Sequence, residues 1–312
     1  MCLRNYKDSS PMADDAGPIP FDVKRTATLP SLTHIDISSS PRGCAVALAH
    51  LDLPALTCLN VKVDTFRRDG NDVLDVFPYI GKHAHGSQDT RPLQSMLIWG
   101  TKTQADFLAW PVPNIDVELQ GSTFLAATAL ARVALSFWCG HRDGFDTHNE
   151  VHSMAMRAIP LDGLVTLITH DFLSPFEQFL FPSLPRLLLL QHVRVASYMA
   201  TRFIDWLQAD NEGRKDPLLS SLKELVVVNA HLDEHWTLRL CETLMKRVEQ
   251  GVPLKMLDLR TCRPDPSYPV AVRSLSEIVV DVLAPEETPE ARAQIISMWD
   301  RSALDSLVEH GF

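Results

Sequence analysis

The sequence predicts an α/β fold built from repeated strand–helix units. Three observations carry this: a leucine pattern that returns along most of the chain, stretches of helical period between its copies, and an ordinary globular composition. Hydrophobic residues make up 46% and charged residues 22% of the 312, which excludes a disordered, fibrous or low-complexity chain. A chain of this length buries most of its apolar surface without metals or disulfides.

Residues 1–28 hold Ser-Ser-Pro, Asp-Asp-Ala-Gly-Pro and Ile-Pro without a sustained period. They are expected to be a flexible N-terminal lead-in, with a single domain over 29–312. From there Leu-x-x-Leu-x-Leu recurs with aliphatic substitutes, each copy predicting a strand. The copies begin at Leu32, Leu56, Leu93, Val112, Leu164, Leu184, Leu222 and Leu254. The fourth, Val112-Pro-Asn-Ile115-Asp-Val117, is weak, and a ninth strand is expected in Ile278–Leu283. The long gap after the fourth copy contains Val151-x-x-Met154-x-Met156, a further possible strand.

Helical period fills the intervals. Val73, Val76, Phe77 and Ile80 share a face, as do Val195, Met199 and Trp206. The clearest case is Trp236, Leu240, Leu244 and Val248, started by Asp233 as cap and stopped by Gly251 and Pro253. Thr288-Pro289-Glu290 opens a last helix whose buried side would carry Ile295, Met298 and Trp299. The apolar run Ser122–Cys139 has Arg132 at its centre, so it reads as a packed helix, not a membrane span.

Strand, loop, helix, loop, strand, repeated, demands parallel strands with the helices outside. Leu-x-x-Leu-x-Leu in that setting is the leucine-rich-repeat signature. Its leucines point inward and stack on the next repeat, while the residues between them face out on the concave side. The copies are spaced irregularly, from 19 to 52 residues, against a usual 20–29. The expected fold is therefore an irregular leucine-rich-repeat solenoid, a distorted horseshoe with a parallel concave sheet and outer helices. The ninth position of a repeat normally holds Asn or Cys bonded to the turn; Cys262 matches, whereas Phe172 and Ala230 do not.

Several longer runs resemble the repeat region of basidiomycete F-box-like proteins. They are Leu51–Thr57, His83-Ala-His85-Gly86, Arg91–Met96, Ile204–Leu207, Leu238–Gly251, Leu257–Cys262 and Ser276–Leu283. The resemblance covers roughly residues 30–300 and implies a substrate-recognition module of a cullin–RING ubiquitin ligase. The F-box itself, a three-helix element that docks on the Skp adaptor, has no counterpart in the Pro- and Gly-broken residues before Leu29. Skp adaptor binding is therefore not expected from this chain.

Charge and motifs narrow the chemistry. A net charge of −10, from 29 basic and 39 acidic residues, argues against nucleic acid and anionic membrane as partners. Six cysteines are too few for a disulfide scaffold, and Met1–Asp8 lacks a signal-peptide core, so a cytoplasmic or nuclear location is expected. No Gly-x-Ser-x-Gly elbow, phosphate-binding loop or Gly-x-Gly-x-x-Gly fingerprint occurs. No catalytic residue and no cofactor is expected.

Cys139, His141, Asp143, His148 and His152 form the best metal candidate, since zinc accepts such a mixture. Gly140, Gly144 and Asn149 are expected to break a helix there and spoil the i, i+4 spacing of His148 and His152, so no metal site is assigned. His83 is expected to meet the last carbonyls of a helix, and Cys44 and Cys241 to be small core residues.

The leading expectation is a non-catalytic protein-binding repeat module. A metal-dependent enzyme using Cys139–His152, or a truncated remnant without present function, is the alternative. An unknown protein partner would bind the concave face, where strand alternation puts Leu97, Trp99, Ile168, His170, Leu188, Leu190, Val226 and Val228. The row between the last two leucines of each repeat reads Asp36, Asn60, Leu97, Asp116, Ile168, Leu188, Val226, Asp258. It is apolar at its centre and polar at its ends, the look of a partner site. The competing expectation is that an insertion covers the patch.

Overall fold

The structure, a computed structural model, describes residues 2–4, 26–64, 74–85, 91–100, 104–113, 131–138, 144–170, 180, 184–209, 217–264 and 274–285. Its centre is an eleven-stranded, mostly parallel sheet. In chain order the strands are β1 (Cys2–Arg4), β2 (His34–Ser39), β3 (Cys58–Asp64), β4 (Ser95–Gly100), β5 (Gln104–Trp110), β6 (Val133–Trp138), β7 (Thr166–His170), β8 (His192–Ala196), β9 (Glu224–Val228), β10 (Met256–Asp258) and β11 (Asp281–Leu283). Helices α1 (Pro41–Ala49), α2 (Phe77–Ala84), α3 (Gly144–Ala158), α4 (Ser197–Ala209) and α5 (Glu234–Glu249) alternate with them.

One backbone device sets most strands beside their predecessors. A leucine N–H donates to the carbonyl three residues back: Leu32 to Leu29, Leu56 to Leu53, Leu164 to Leu161, Leu190 to Leu187 and Leu222 to Leu219. The carbonyl one residue after the leucine then accepts two N–H groups from the start of the neighbouring strand. Gln94 receives Val165 and Thr166, Val165 receives Gln191 and His192, Gln191 receives Lys223 and Glu224, and Lys223 receives Lys255 and Met256. Strand alternation sends the next two aliphatics inward, as with Ile35 and Ile37 or Leu225 and Val227, all at most 2% exposed.

The helices cover this inward face. Cys44 and Leu48 of α1, Phe77 and Ile80 of α2, Met199 and Phe203 of α4, and Trp236 and Leu240 of α5 join one continuous core with it. The ends of α5 are built as its sequence suggests. Asp233 Oδ1 accepts the Trp236 N–H at 2.7 Å. Gly251, at φ +77°, donates to Val248 O, and Val252 donates to Arg247 O; this paired termination needs a left-handed residue. Val248 is exposed, because successive i+4 steps drift around a 3.6-residue helix. Arg247 takes the inward place in the last turn, donating to the Leu218 and Leu219 carbonyls at 2.7 and 3.0 Å.

Several expectations need correction. Sheet order is β1-β2-β3-β6-β5-β4-β7-β8-β9-β10-β11. The chain leaves β3, passes two strand positions, and returns through an antiparallel β4–β5–β6 meander before β7 pairs with β4. The sheet is therefore not parallel throughout. Residues 133–138, taken for part of a helix, form β6: Val133, Leu135 and Phe137 are buried in the main core while Trp138 is exposed, a period of two. Val112 follows β5 in a bend, and the rest of its expected strand lies outside the described residues.

The copy at Leu184 begins too early. Leu184–Arg186 is a short 3-10 turn, where Pro185 has the fixed φ such a turn needs and no N–H for a ladder. With Leu187 to Leu190 all leucine, the pattern matches equally well later, and Leu190 is the true equivalent of Leu164 and Leu222. Leu164, Leu190, Leu222 and Leu254 are then 26, 32 and 32 residues apart, more even than the pattern alone suggests. Val151–Met156 belongs to α3, not a strand, and the glycines near residue 144 do not prevent that helix. In the expected lead-in, Cys2–Arg4 pair with β2 and Ala27–Thr28 with Leu51–Asp52. The helix expected from Thr288 lies outside the described residues.

Candidate functional site

On the sheet face opposite the main core, paired positions form a row across ten strands. In order they are Asp36, Asn60, Ala134, Leu108, Leu97, Ile168, Arg194, Val226, Asp258 and Leu283. The row thus holds Arg194 where Leu188 was expected, and Ala134 and Leu108 stand between Asn60 and Leu97; Asp116 lies outside the described residues.

The middle of this row is closed. Leu97, Leu108, Ala134 and Ile168, with Trp110 and Ala131, form a second hydrophobic cluster in which no side chain is more than 3% exposed. None of its members lies on a helix. From β7 onward the face opens into a groove of about 570 Å³ over β7–β10. Ile168, Val226, Val228 and Met256 give it apolar walls, His192 adds a polar ring, and Arg194, Glu224, Asp258 and Arg260 bring charge.

Most of that charge is paired within the groove. His192 Nδ1 lies 2.7 Å from Glu224 Oε2 across the β8–β9 pair. Asp258 accepts the Arg260 backbone N–H at 3.0 Å, its Nε at 3.0 Å and its Nη2 at 2.7 Å. Burial pushes the Asp258 carboxyl upward, but the Arg260 hydrogen bonds and the charges of Arg260 and Arg194 outweigh it and hold the group below its ordinary value. Half-buried Arg194 stands between Ile168 and Val226. Its guanidinium makes no hydrogen bond among the described residues.

The eight expected site residues do not share one environment. Leu97 and Ile168 sit in the closed cluster, and Leu190, 0% exposed, lies in the main core, not on the outward face. Leu188 is 73% exposed, but in the turn before β8. Trp99 is half-buried at the paired position beside Asp106 and His170; the His170 side chain lies outside the described residues. Only Val226 and Val228 line the groove with Ile168. Sequence reasoning missed Arg194 and the His192–Glu224 pair. The signal was present in His192-Val-Arg-Val, a clean alternation three residues beyond the strand expected from Leu184.

In the middle of the sheet, Asp106 is 3% exposed on β5. Burial raises its carboxyl to about 6, against hydrogen bonds from Ser136 and Gln104 and the charge of Lys62. Cys262, the ninth-position match, donates its thiol to Val227 O of β9 at 3.2 Å. Cys44 is a core residue whose thiol burial pushes up to about 12. His83 meets not its own helix end but Leu48 O of α1, with Nε2 at 3.0 Å, and so ties α2 to α1. Of the metal candidates, Cys139, His141 and Asp143 lie outside the described residues, as does the side chain of His148. His152 is buried with its ring 5.3 Å from that of Phe107. Among the described residues no group of three His, Cys, Asp or Glu side chains could hold a metal ion. No described helix is long and apolar enough to cross a membrane.

No protein-family model matches the chain, and no curated protein matches it either.

Proposed function

We propose that the chain is a non-catalytic protein-binding module whose partner occupies the groove over β7–β10. Its architecture, in this reading, is a leucine-rich-repeat solenoid interrupted by the β4–β6 meander. Its role is the substrate recognition that the likeness to F-box-like repeat regions implies. The observation that carries the proposal is the groove, which alternates apolar walls with charged groups on the side of the sheet away from the main core. A patch with apolar centre and polar rim supplies both burial and register to a protein partner.

The repeated Leu–x–x–Leu turn and the twice-used carbonyl support the solenoid part of the reading, because they stack each unit on the one before. Photo-crosslinking from position 226 in the full chain tests the proposal, with position 245 on the outer side of α5 as control. A partner protein caught from 226, not from 245, and lost when Val228→Arg is added, is the expected result. Crosslinks from 245 alone would move the interface to the helices and remove the groove.

A further inference from the structure

We propose that the groove receives an extended, largely apolar stretch of the partner protein, one carboxylate of which is held by Arg194. This rests on the groove being the partner site. It follows from which charges the groove leaves without a counterpart. Glu224 is engaged by His192, and Asp258 is held three times by Arg260. Arg194 is flanked across the sheet by Ile168 on β7 and Val226 on β9. The charge of Arg194 reaches Asp258, two strands away, but Asp258 spends its hydrogen bonds on Arg260.

A guanidinium set between aliphatic walls is a fork looking for a planar acid. A carboxylate fits it with two parallel hydrogen bonds. The walls keep part of the water away, so the pair is worth more there than on a fully open surface. Neighbouring strands are about 4.8 Å apart and an extended chain rises about 3.3 Å per residue. The row from Ile168 to Asp258 therefore spans roughly four or five residues of an extended segment crossing it, with the acid near its middle and apolar residues on either side. A phosphate suits the site less. Phosphate recognition uses clusters of arginines, whereas Glu224 and Asp258 would repel a dianion beside Arg194.

The test is a selection of random twelve-residue peptides on the immobilised full chain, followed by anisotropy titrations with the synthetic winners. Expected is a fixed Asp or Glu between apolar positions. Its Asn or Gln counterpart should bind at least tenfold more weakly. Arg194→Ala and Arg194→Gln should lose at least tenfold while melting with the parent, and Arg194→Glu should prefer the Lys counterpart. Winners that lose affinity with Val228→Arg yet carry no fixed acid would overturn the carboxylate inference and leave the groove as partner site. Winners indifferent to both Arg194 and Val228 substitutions, or no winners, would overturn both. A phosphoserine version binding tenfold tighter than the acid would assign Arg194 to phosphate instead.

Discussion

Across β7–β9 each strand follows a leucine turn, β8, β9 and β10 each lie beside their predecessors, and alternate side chains face the main core and the groove. Across β4–β6 the chain doubles back, and almost every position of β4 and β5 is buried. The same inward aliphatics serve both regions, so the difference lies on the opposite face. In β8 and β9 that face carries His192, Arg194, Glu224 and Val226, all half-buried, before it closes at Ala196 and Val228. In β4 and β5 it carries Leu97, Leu108 and Trp110, which have closed into a core of their own. Strands buried on both faces lose the alternation that marks half-buried ones. Ser95-Met-Leu-Ile-Trp and Phe107-Leu-Ala-Trp110 accordingly read as apolar runs, while His192-Val-Arg-Val alternates. An apolar outward row is therefore a sign of closure, and a mixed one a sign of an open surface.

The strongest way to break this contrast is Leu97→Ala. A fully buried leucine in a closed cluster should cost about 3 kcal/mol on truncation, within the usual range for such sites. Urea denaturation beside the parent measures it. A cost below about 1 kcal/mol would mean that the cluster is not packed and that the two halves of the face are alike.

Asp106 sharpens the contrast from the polar side, since the closed region has taken a carboxylate in with it. Burial lifts its carboxyl from the ordinary 3.8 to about 6 in the folded protein. A raised carboxylate favours the native state below the unfolded value, and that contribution is lost as pH rises through the folded one. Asp106→Asn does not titrate and still accepts the Gln104 amide. It should match the parent near pH 4, gain between about pH 4 and 6, and stand roughly 2–3 kcal/mol more stable from pH 7 upward. Melts at pH 4.5 and 7.5 decide it. An equal offset at both would show that Asp106 is not desolvated.

These two regions also divide what the sequence makes legible. The α/β class, the parallel pairing of most strands and the caps of α5 follow from local patterns: leucine spacing, an Asp before a helical run, a Gly after it. The meander does not, because the sequence contains no sign that β4 will pair with β7 and leave its own predecessor. That choice is made by long-range burial of strands apolar on both faces. The register of β8 was hidden for a different reason. A run of four leucines satisfies the repeat in more than one frame, and only the shared carbonyls of Val165 and Gln191 select Leu190. The site suffered from both. Leu97 and Ile168 look like an exposed patch if every strand is assumed alike, and Arg194 is invisible if its strand is started at Leu184.

Within the open region, the Asp258–Arg260 pair should matter modestly. Arg260 is exposed, with 60% of its side chain accessible, so solvent screens the pair and Asp258→Asn should cost about 1 kcal/mol. Because the Asp258 carboxyl is held below its ordinary value, the contribution is present above the unfolded value and fades as pH falls through the folded one. The variant should approach the parent in acid, as at Asp106, but from the less stable side. A gap that widens in acid would contradict the pairing.

The smallest effect should come from the outward position that the open region leaves in the groove. Val226 shares a row with Leu97, two strand neighbours beyond Ile168, and is only half-buried. Truncation to Ala removes two methyl groups that already touch solvent on one side, so the transfer loss is a fraction of the ~0.8 kcal/mol per buried methylene. The lower strand preference of Ala adds a few tenths. Val226→Ala should therefore cost about 0.5–1 kcal/mol, measured by the same urea denaturation as Leu97→Ala and with an unchanged denaturant slope. A cost of 2 kcal/mol or more would mean that the groove end of the row is sealed like the middle. It would also leave no accessible floor there for a partner, because a side chain already packed on both faces has no surface left to offer.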